Sequence, residues 1–117
     1  MKKQEVTYKG INYNLVFDLN VMEIIQEEYG TVEKWGELTD GNAGEVNAKA
    51  VLFGLAAMIN EGIDMDNEDN EGREGYTPKK FLTAKTVGRL LTEVGLNEAT
   101  RKLNETVVES TRSDEKN

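Results

Sequence analysis

One acidic segment holds the side chains that come nearest to forming a chemical site. Oxygen ligands recur there at alternating positions, a spacing that calcium-binding loops use: Asp64, Asp66, Glu68 and Asn70. The EF-hand loop also requires glycine at its sixth position and glutamate at its twelfth, and no register starting at Asp64, Asp66 or Asn67 supplies both. The segment is therefore predicted to be a solvated, mobile loop, with a weak divalent-cation site as the alternative.

Residue types that support catalysis are otherwise scarce. The chain has no histidine and no cysteine, and its only serines are Ser110 and Ser113. Nucleophilic catalysis, histidine-based acid–base catalysis and thiolate or imidazole metal sites therefore lack their usual groups. The sequence predicts a binding protein without cofactor or metal, and not an enzyme.

The net charge of -8, from 22 acidic and 14 basic residues, is concentrated in residues 61–75. That segment holds seven acids against Arg73 alone, which gives -6 and leaves -2 for the rest of the chain. The body therefore lacks the basic stripe that neutralises phosphates, so neither nucleic acid nor an anionic membrane is expected as a partner. The sequence has no window near the roughly 20 apolar residues of a membrane span and no apolar signal region, which predicts a cytoplasmic protein.

The elements that must position any site form one small domain, predicted to be mainly α with about five helices and an N-terminal β-hairpin. Alternating apolar residues predict strands between Val6 and Phe17, joined by a tight turn at Lys9-Gly10. A first helix is expected from a cap at Asp18 or Asn20 to Gly30. A second, short helix follows from Thr31 to residues 40–42.

The most apolar helix is predicted over residues 45–61, with Gly62 as its stop. Because apolar residues occupy almost every face, it should be the enclosed core helix. Its most sensitive positions should include Leu52, Phe53, Leu55 and Met58. After the acidic loop, 61–76, Thr77-Pro78 is expected to begin a helix that ends at Gly95. A last helix starts near Leu96, the domain extends to 108, and residues 109–117 are predicted to be a disordered tail.

Two features of this outline are candidate partner contacts. Trp35 is either an exposed binding anchor or a cap on the edge of the small core. One face of the last helix carries a thin apolar stripe, which either completes the core or receives a partner helix. The stripe consists of Leu96, Ala99, Leu103 and Val107.

Four segments read in order resemble the tail assembly chaperones of long-tailed bacteriophages. They are YNLVFDLNVM (13–22), IIQEEYG (24–30), AVLFGLAAMI (50–59) and TVGRLLTEVG (86–95). The resemblance extends over about residues 8–108 and is carried by hydrophobic patterns with a few polar positions. The acidic segment before Thr77 is longer than the family outline.

The resemblance implies a small helical protein of the host bacterial cytoplasm that is absent from the mature virion. Such a protein binds the tape measure protein, keeps it soluble and helps bring tail tube subunits to it, in many relatives through a frameshift-extended form. Glu115-Lys116-Asn117 can be encoded by a sequence that contains a slippery heptanucleotide. Self-association stays open, and a small acidic regulatory or calcium-responsive adaptor is the alternative function.

Overall fold

A computed structural model describes residues 4–41 and 44–115. Within them the prediction of a mainly α domain of five helices with an N-terminal hairpin is confirmed. None of the helices in these two ranges is both long and apolar enough to cross a membrane. The elements in chain order are β1 (Glu5–Tyr8), β2 (Ile11–Asn14), α1 (Leu19–Tyr29), α2 (Val32–Thr39), α3 (Ala48–Asp69), α4 (Ala84–Val94) and α5 (Leu96–Glu115).

The hairpin turns at the predicted residues. Lys9 and Gly10 have φ angles of 51° and 79°, and positive φ at both central residues gives a tight turn that suits antiparallel strands. The strands pair antiparallel, and the alternate residues Val6, Tyr8 and Tyr13 are buried on the helical side. On the outer sides of the hairpin, the Lys79 ammonium donates to the Asn12 carbonyl at 3.1 Å and the Lys102 ammonium donates to the Glu5 carbonyl at 2.7 Å.

Local capping sets the limits of α1 and α2 as the sequence predicts. The Asp18 carboxylate accepts a hydrogen bond from the Val21 amide at 3.1 Å, and Gly30, with φ 87°, ends α1. The Thr31 hydroxyl accepts from the Lys34 amide at 3.0 Å and begins α2. Each cap supplies a partner to an amide that the first helical turn leaves without one.

Helix α3 is the central element and extends past its predicted end. It contacts β2 and all four other helices, and its 22 residues continue through Gly62 to Asp69. Gly62 is buried, and a Cβ at this position would clash with the backbone carbonyl oxygen of Asn14. The prediction of a helix stop at Gly62 is wrong, because this glycine instead allows the hairpin to approach the helix.

Residues 61–69 of the predicted acidic loop are therefore part of α3. The predicted helix start at Thr77-Pro78 is also wrong. Helix α4 begins six residues later, capped by the Thr83 hydroxyl, which accepts from the Thr86 amide at 3.1 Å. Residues 70–83, here called the strap, run back along α3. Two asparagine side chains of α3 bind the strap backbone: Asn67 pairs with both backbone groups of Lys79, and Asn60 with both of Leu82. These backbone groups are therefore not used for helical hydrogen bonds, and this part of the strap stays non-helical ahead of α4.

Helix α5 begins at Leu96 as predicted and continues to Glu115. The Ser110 hydroxyl donates to the Phe17 carbonyl oxygen at 3.0 Å, which ties this part of α5 to the chain that follows the hairpin. Residues 109–115 are thus helical, which corrects the predicted start of the tail. Lys116 and Asn117, where the frameshift hypothesis falls, lie outside the described residues.

Candidate protein-binding groove

Trp35, the predicted anchor or cap, lies in the core. Its side chain is 1% exposed, its indole Nε1 donates to the Ala50 carbonyl oxygen at 3.0 Å, and its ring stacks on Phe17 with a centroid separation of 6.3 Å. The ring also fills the space beside Gly54, where a Cβ would clash with it. Trp35 therefore offers no surface to a partner in the folded domain.

The stripe on α5 is divided between core and surface. Ala99 and Leu103 are fully buried, Val107 is half-buried against the core, and Leu96 is partly exposed. Most of the stripe thus completes the core. Among its four residues, Leu96 is the one that the structure brings to an apolar surface depression, described below.

The apolar surface that the sequence did not predict lies on the outer face of α3. It is a depression of about 530 Å³ with α1 on one side and the strap and the start of α4 on the other. Its floor consists of half-buried α3 residues, Leu52, Phe53, Ala56 and Ala57. Its walls include Ile24 of α1 and Phe81 of the strap, whose side chains are 42% and 60% exposed.

A second depression of about 390 Å³ continues this surface toward the start of α3. It shares Lys49 and Leu52 with the first and reaches Gly88 and Leu91 of α4 and Leu96 of α5. The two together are called the α3 groove. The groove follows α3 from Ala48 to Asp64, which corresponds to about 24 Å at the helical rise.

The groove exists because α1 and α4 flank α3 without covering this face. The sequence predicts an enclosed core helix, and Leu55 and Met58 are indeed fully buried. Leu52 and Phe53 instead form the groove floor, with the Phe53 ring edge-on to Tyr29 at 5.5 Å between centroids. The signal that could have indicated the groove is an α3 that is apolar on more faces than its neighbours can cover.

Charged side chains lie only at the two ends of the groove lining. Lys49 lies at the end near the start of α3, and Glu61 and Asp64 lie at the other. A hydrogen bond with the Asp18 carboxyl, together with burial, raises the pKa of Glu61, while a hydrogen bond from Asn20 at 3.0 Å opposes the shift. Negative charge is therefore concentrated at one end of an otherwise apolar surface.

A larger depression, about 780 Å³, lies elsewhere, between α5 and the chain near Gly44. Its lining includes the Arg101 guanidinium, which makes ion pairs of 2.6 Å with both Glu98 and Glu105 of α5. An apolar partner would have to cover these ion pairs. The α3 groove is therefore the better candidate for an apolar ligand, although it is smaller.

The acidic segment supplies little for a cation. Asp64, Asp66, Glu68 and Asp69 lie along α3, and Asp66 forms an ion pair of 3.0 Å with Lys79. In residues 4–41 and 44–115, no three acidic side chains are grouped so that they could hold a metal ion.

Comparison of the chain with protein-family models, with curated proteins and with solved structures gives no match.

Proposed function

We propose that this protein is a phage tail assembly chaperone that holds apolar helical segments of the tape measure protein in the α3 groove. The observation that carries the proposal is the uncovered groove along about 24 Å of α3, which is largely apolar between its charged ends. Amphipathic helices bind to such channels through apolar residues at i, i+3, i+4 and i+7. Four to five helical turns fit alongside that length.

The chemistry of the groove suits transient protection of an apolar helix. Its floor combines large apolar side chains with the small residues Ala56, Ala57 and, toward α4, Gly88, which add little bulk to the floor. Phe81 projects from the strap with 60% of its side chain exposed, and an aromatic wall of this kind is a common binding anchor. The net charge of -8 would keep the complex soluble by repulsion between its copies.

The remaining parts of the role are proposed from the resemblance alone. The chaperone would act in the host cytoplasm, help recruit tail tube subunits, in a frameshift-extended form where one is made, and leave before the virion is complete. These features concern events beyond the groove, so they need tests of their own, beginning with the sequence of the gene near codon 117.

Co-expression with the cognate tape measure protein tests the proposal. Phe81→Glu should reduce the soluble fraction of the tape measure protein by about tenfold or more, because a carboxylate would have to be buried against the apolar partner. Val108→Glu is the matched control, since Val108 is also a half-exposed apolar residue but belongs to α5 and lines the larger depression instead of the groove. Circular dichroism should show both variants folded.

The control also separates the two surfaces. Loss of solubilisation in Val108→Glu with normal activity of Phe81→Glu would overturn the groove assignment in favour of α5. Leu103→Glu is unsuitable for this purpose, because Leu103 is fully buried and the change would unfold the domain. If wild-type protein does not raise the soluble yield at all, the chaperone proposal itself is wrong.

A further inference from the structure

The two ends of the α3 groove differ in charge, and this difference restricts its occupant. Lys49 lies 12 residues before Glu61 and 15 before Asp64, which corresponds to about 18 and 22 Å along α3. Between these ends the lining residues are apolar or small, apart from Asn60 and Thr92. A bound helix therefore meets charge at two positions of known spacing.

These charges are available to a partner. Among the described residues, the ion pairs within 4 Å join Asp66 with Lys79 and Arg101 with Glu98 and Glu105, and none of them involves Lys49, Glu61 or Asp64. Glu61 is close enough to Asp18 for the two carboxyls to share a hydrogen bond, and the negative charges of Asp18 and Asp64 both act on it. A cation placed at this end would relieve the repulsion between these acidic groups.

We infer that the α3 groove selects an amphipathic helix that carries basic side chains at one end of its apolar face and an acidic side chain about 12 to 15 residues away. The basic end would lie beside Glu61 and Asp64, and the acidic end beside Lys49. The inference rests on the proposed function, since it assumes that the groove binds a helix. It adds the partner's charge pattern, which an apolar groove alone would not specify.

Three synthetic helical peptides of about 20 residues with one common apolar stripe test this charge pattern. The first has a basic and an acidic end, the second has two basic ends, and the third has two acidic ends. Because a helix can bind in either direction along the groove, the first peptide can always place its charges correctly. Fluorescence anisotropy at low salt should give wild-type protein a severalfold preference for the first peptide over the second.

Lys49→Glu should invert that preference, because both ends of the groove would then be negative. Lys34→Glu is the control: it makes the same change of net charge on α2, away from the groove lining, and should leave the preference unchanged. Salt at 1 M should remove the preference and leave binding of the apolar stripe. The quantity compared is the ratio of the affinities for the first and second peptides. General attraction of basic peptides to an acidic protein therefore cancels between Lys49→Glu and Lys34→Glu, which have the same net charge.

Two different failures can be told apart. Binding of all three peptides with equal affinity, or equal effects of Lys49→Glu and Lys34→Glu on the preference, would overturn the charge pattern and leave the groove intact. Binding of none of the peptides would overturn the helix-binding groove, and with it the site named in the proposed function. Either result can be read only if circular dichroism shows both variants folded.

Discussion

The two halves of α3 are held in different ways. Residues 48–59 are held by apolar packing: the Trp35 ring lies against Gly54, and Leu55 and Met58 are fully buried. Residues 60–69 add one fully buried large side chain, Ile63, and are otherwise held by polar side chains that bind neighbouring backbone, with Asn60 and Asn67 pairing with the strap. The first half of the helix is thus mainly core, and the second half adds a polar scaffold to it.

The difference shows why one half could be recognised in the sequence and the other could not. Apolar periodicity reports the side of a helix that packs. Asparagine and aspartate are poor helix formers in general, yet here their side chains gain partners only if the helix continues. Beyond Ile63, this helix has no apolar period to reveal it.

Breaking the apolar half should have the largest effect. Trp35→Ala is expected to lower the free energy of unfolding by about 3 to 5 kcal/mol, because a fully buried ring is replaced by a cavity beside Gly54. Urea denaturation measures the loss. Trp35→Phe keeps an aromatic ring and loses the hydrogen bond to Ala50, so it should cost less; equal losses in the two variants would contradict this account.

Gly62→Ala tests the contact between the second half of α3 and the hairpin. Alanine normally stabilises a helix interior by up to about 1 kcal/mol, but the new Cβ would clash with the Asn14 carbonyl, so a net loss of about 1 to 3 kcal/mol is expected. Gly36→Ala in α2 is the matched control, because a Cβ there would meet nothing within 4 Å apart from its chain neighbours and the backbone of its own helix. Thermal melts should move in opposite directions, and stabilisation by both changes would show that the hairpin can move away.

Asn67→Ala tests the polar attachment of the strap. The Asn67 amide exchanges hydrogen bonds of 2.9 Å with both backbone groups of Lys79 and also accepts from the Tyr76 hydroxyl at 2.6 Å. Its loss should cost about 1 to 2 kcal/mol and accelerate hydrogen exchange at the Lys79 amide. Asn97→Ala, an exposed change at the start of α5, should leave exchange at Lys79 unaltered; unchanged exchange in Asn67→Ala would mean that the strap is held by other contacts.

The smallest effect concerns the pH dependence of the polar half. The pKa of Glu61 is raised above its ordinary 4.5, first by the hydrogen bond with Asp18 and then by burial. An acid with a raised folded pKa stabilises the fold below pH 4.5, and this contribution is lost as pH rises through the folded pKa. Glu61→Gln should therefore be more stable than wild type at pH 7, by less than about 1 kcal/mol, with the difference shrinking near pH 4. Chemical denaturation at pH 7 and near pH 4 measures the free energy of unfolding of both proteins. A difference between them that does not change with pH would argue against a raised pKa of Glu61.

Local signals in the sequence predicted much of the fold. Asp18, Gly30 and Thr31 act on amides and carbonyls within a few residues, so their roles can be read from the chain itself. The prediction for Gly62 is wrong because glycine serves both as a helix stop and as a place of close approach, and the approaching Asn14 is 48 residues away. Thr77-Pro78 has the form of a helix start, but the side chain of Asn67 holds the next residue, Lys79, in the strap.

The candidate site was harder to predict than the fold. The stripe on α5 and the outer face of α3 are both apolar, and nothing in their spacing says which one the rest of the chain covers. Leu103 is enclosed by the folded domain, whereas Leu52 and Phe53 are left as a groove floor. Exposure of an apolar face is decided by the arrangement of the other elements, so it becomes visible only in the assembled domain.

The lysines beside the hairpin affect how the protein behaves at high concentration. A two-stranded ribbon presents unpaired backbone groups on both outer sides, which invite a third strand from another molecule. Lys79 and Lys102 each place an ammonium group on an outward carbonyl, at Asn12 and Glu5. An incoming strand would have to displace a charged donor and then lie beside it, so the domain can expose the apolar surface of the α3 groove while discouraging aggregation through its sheet.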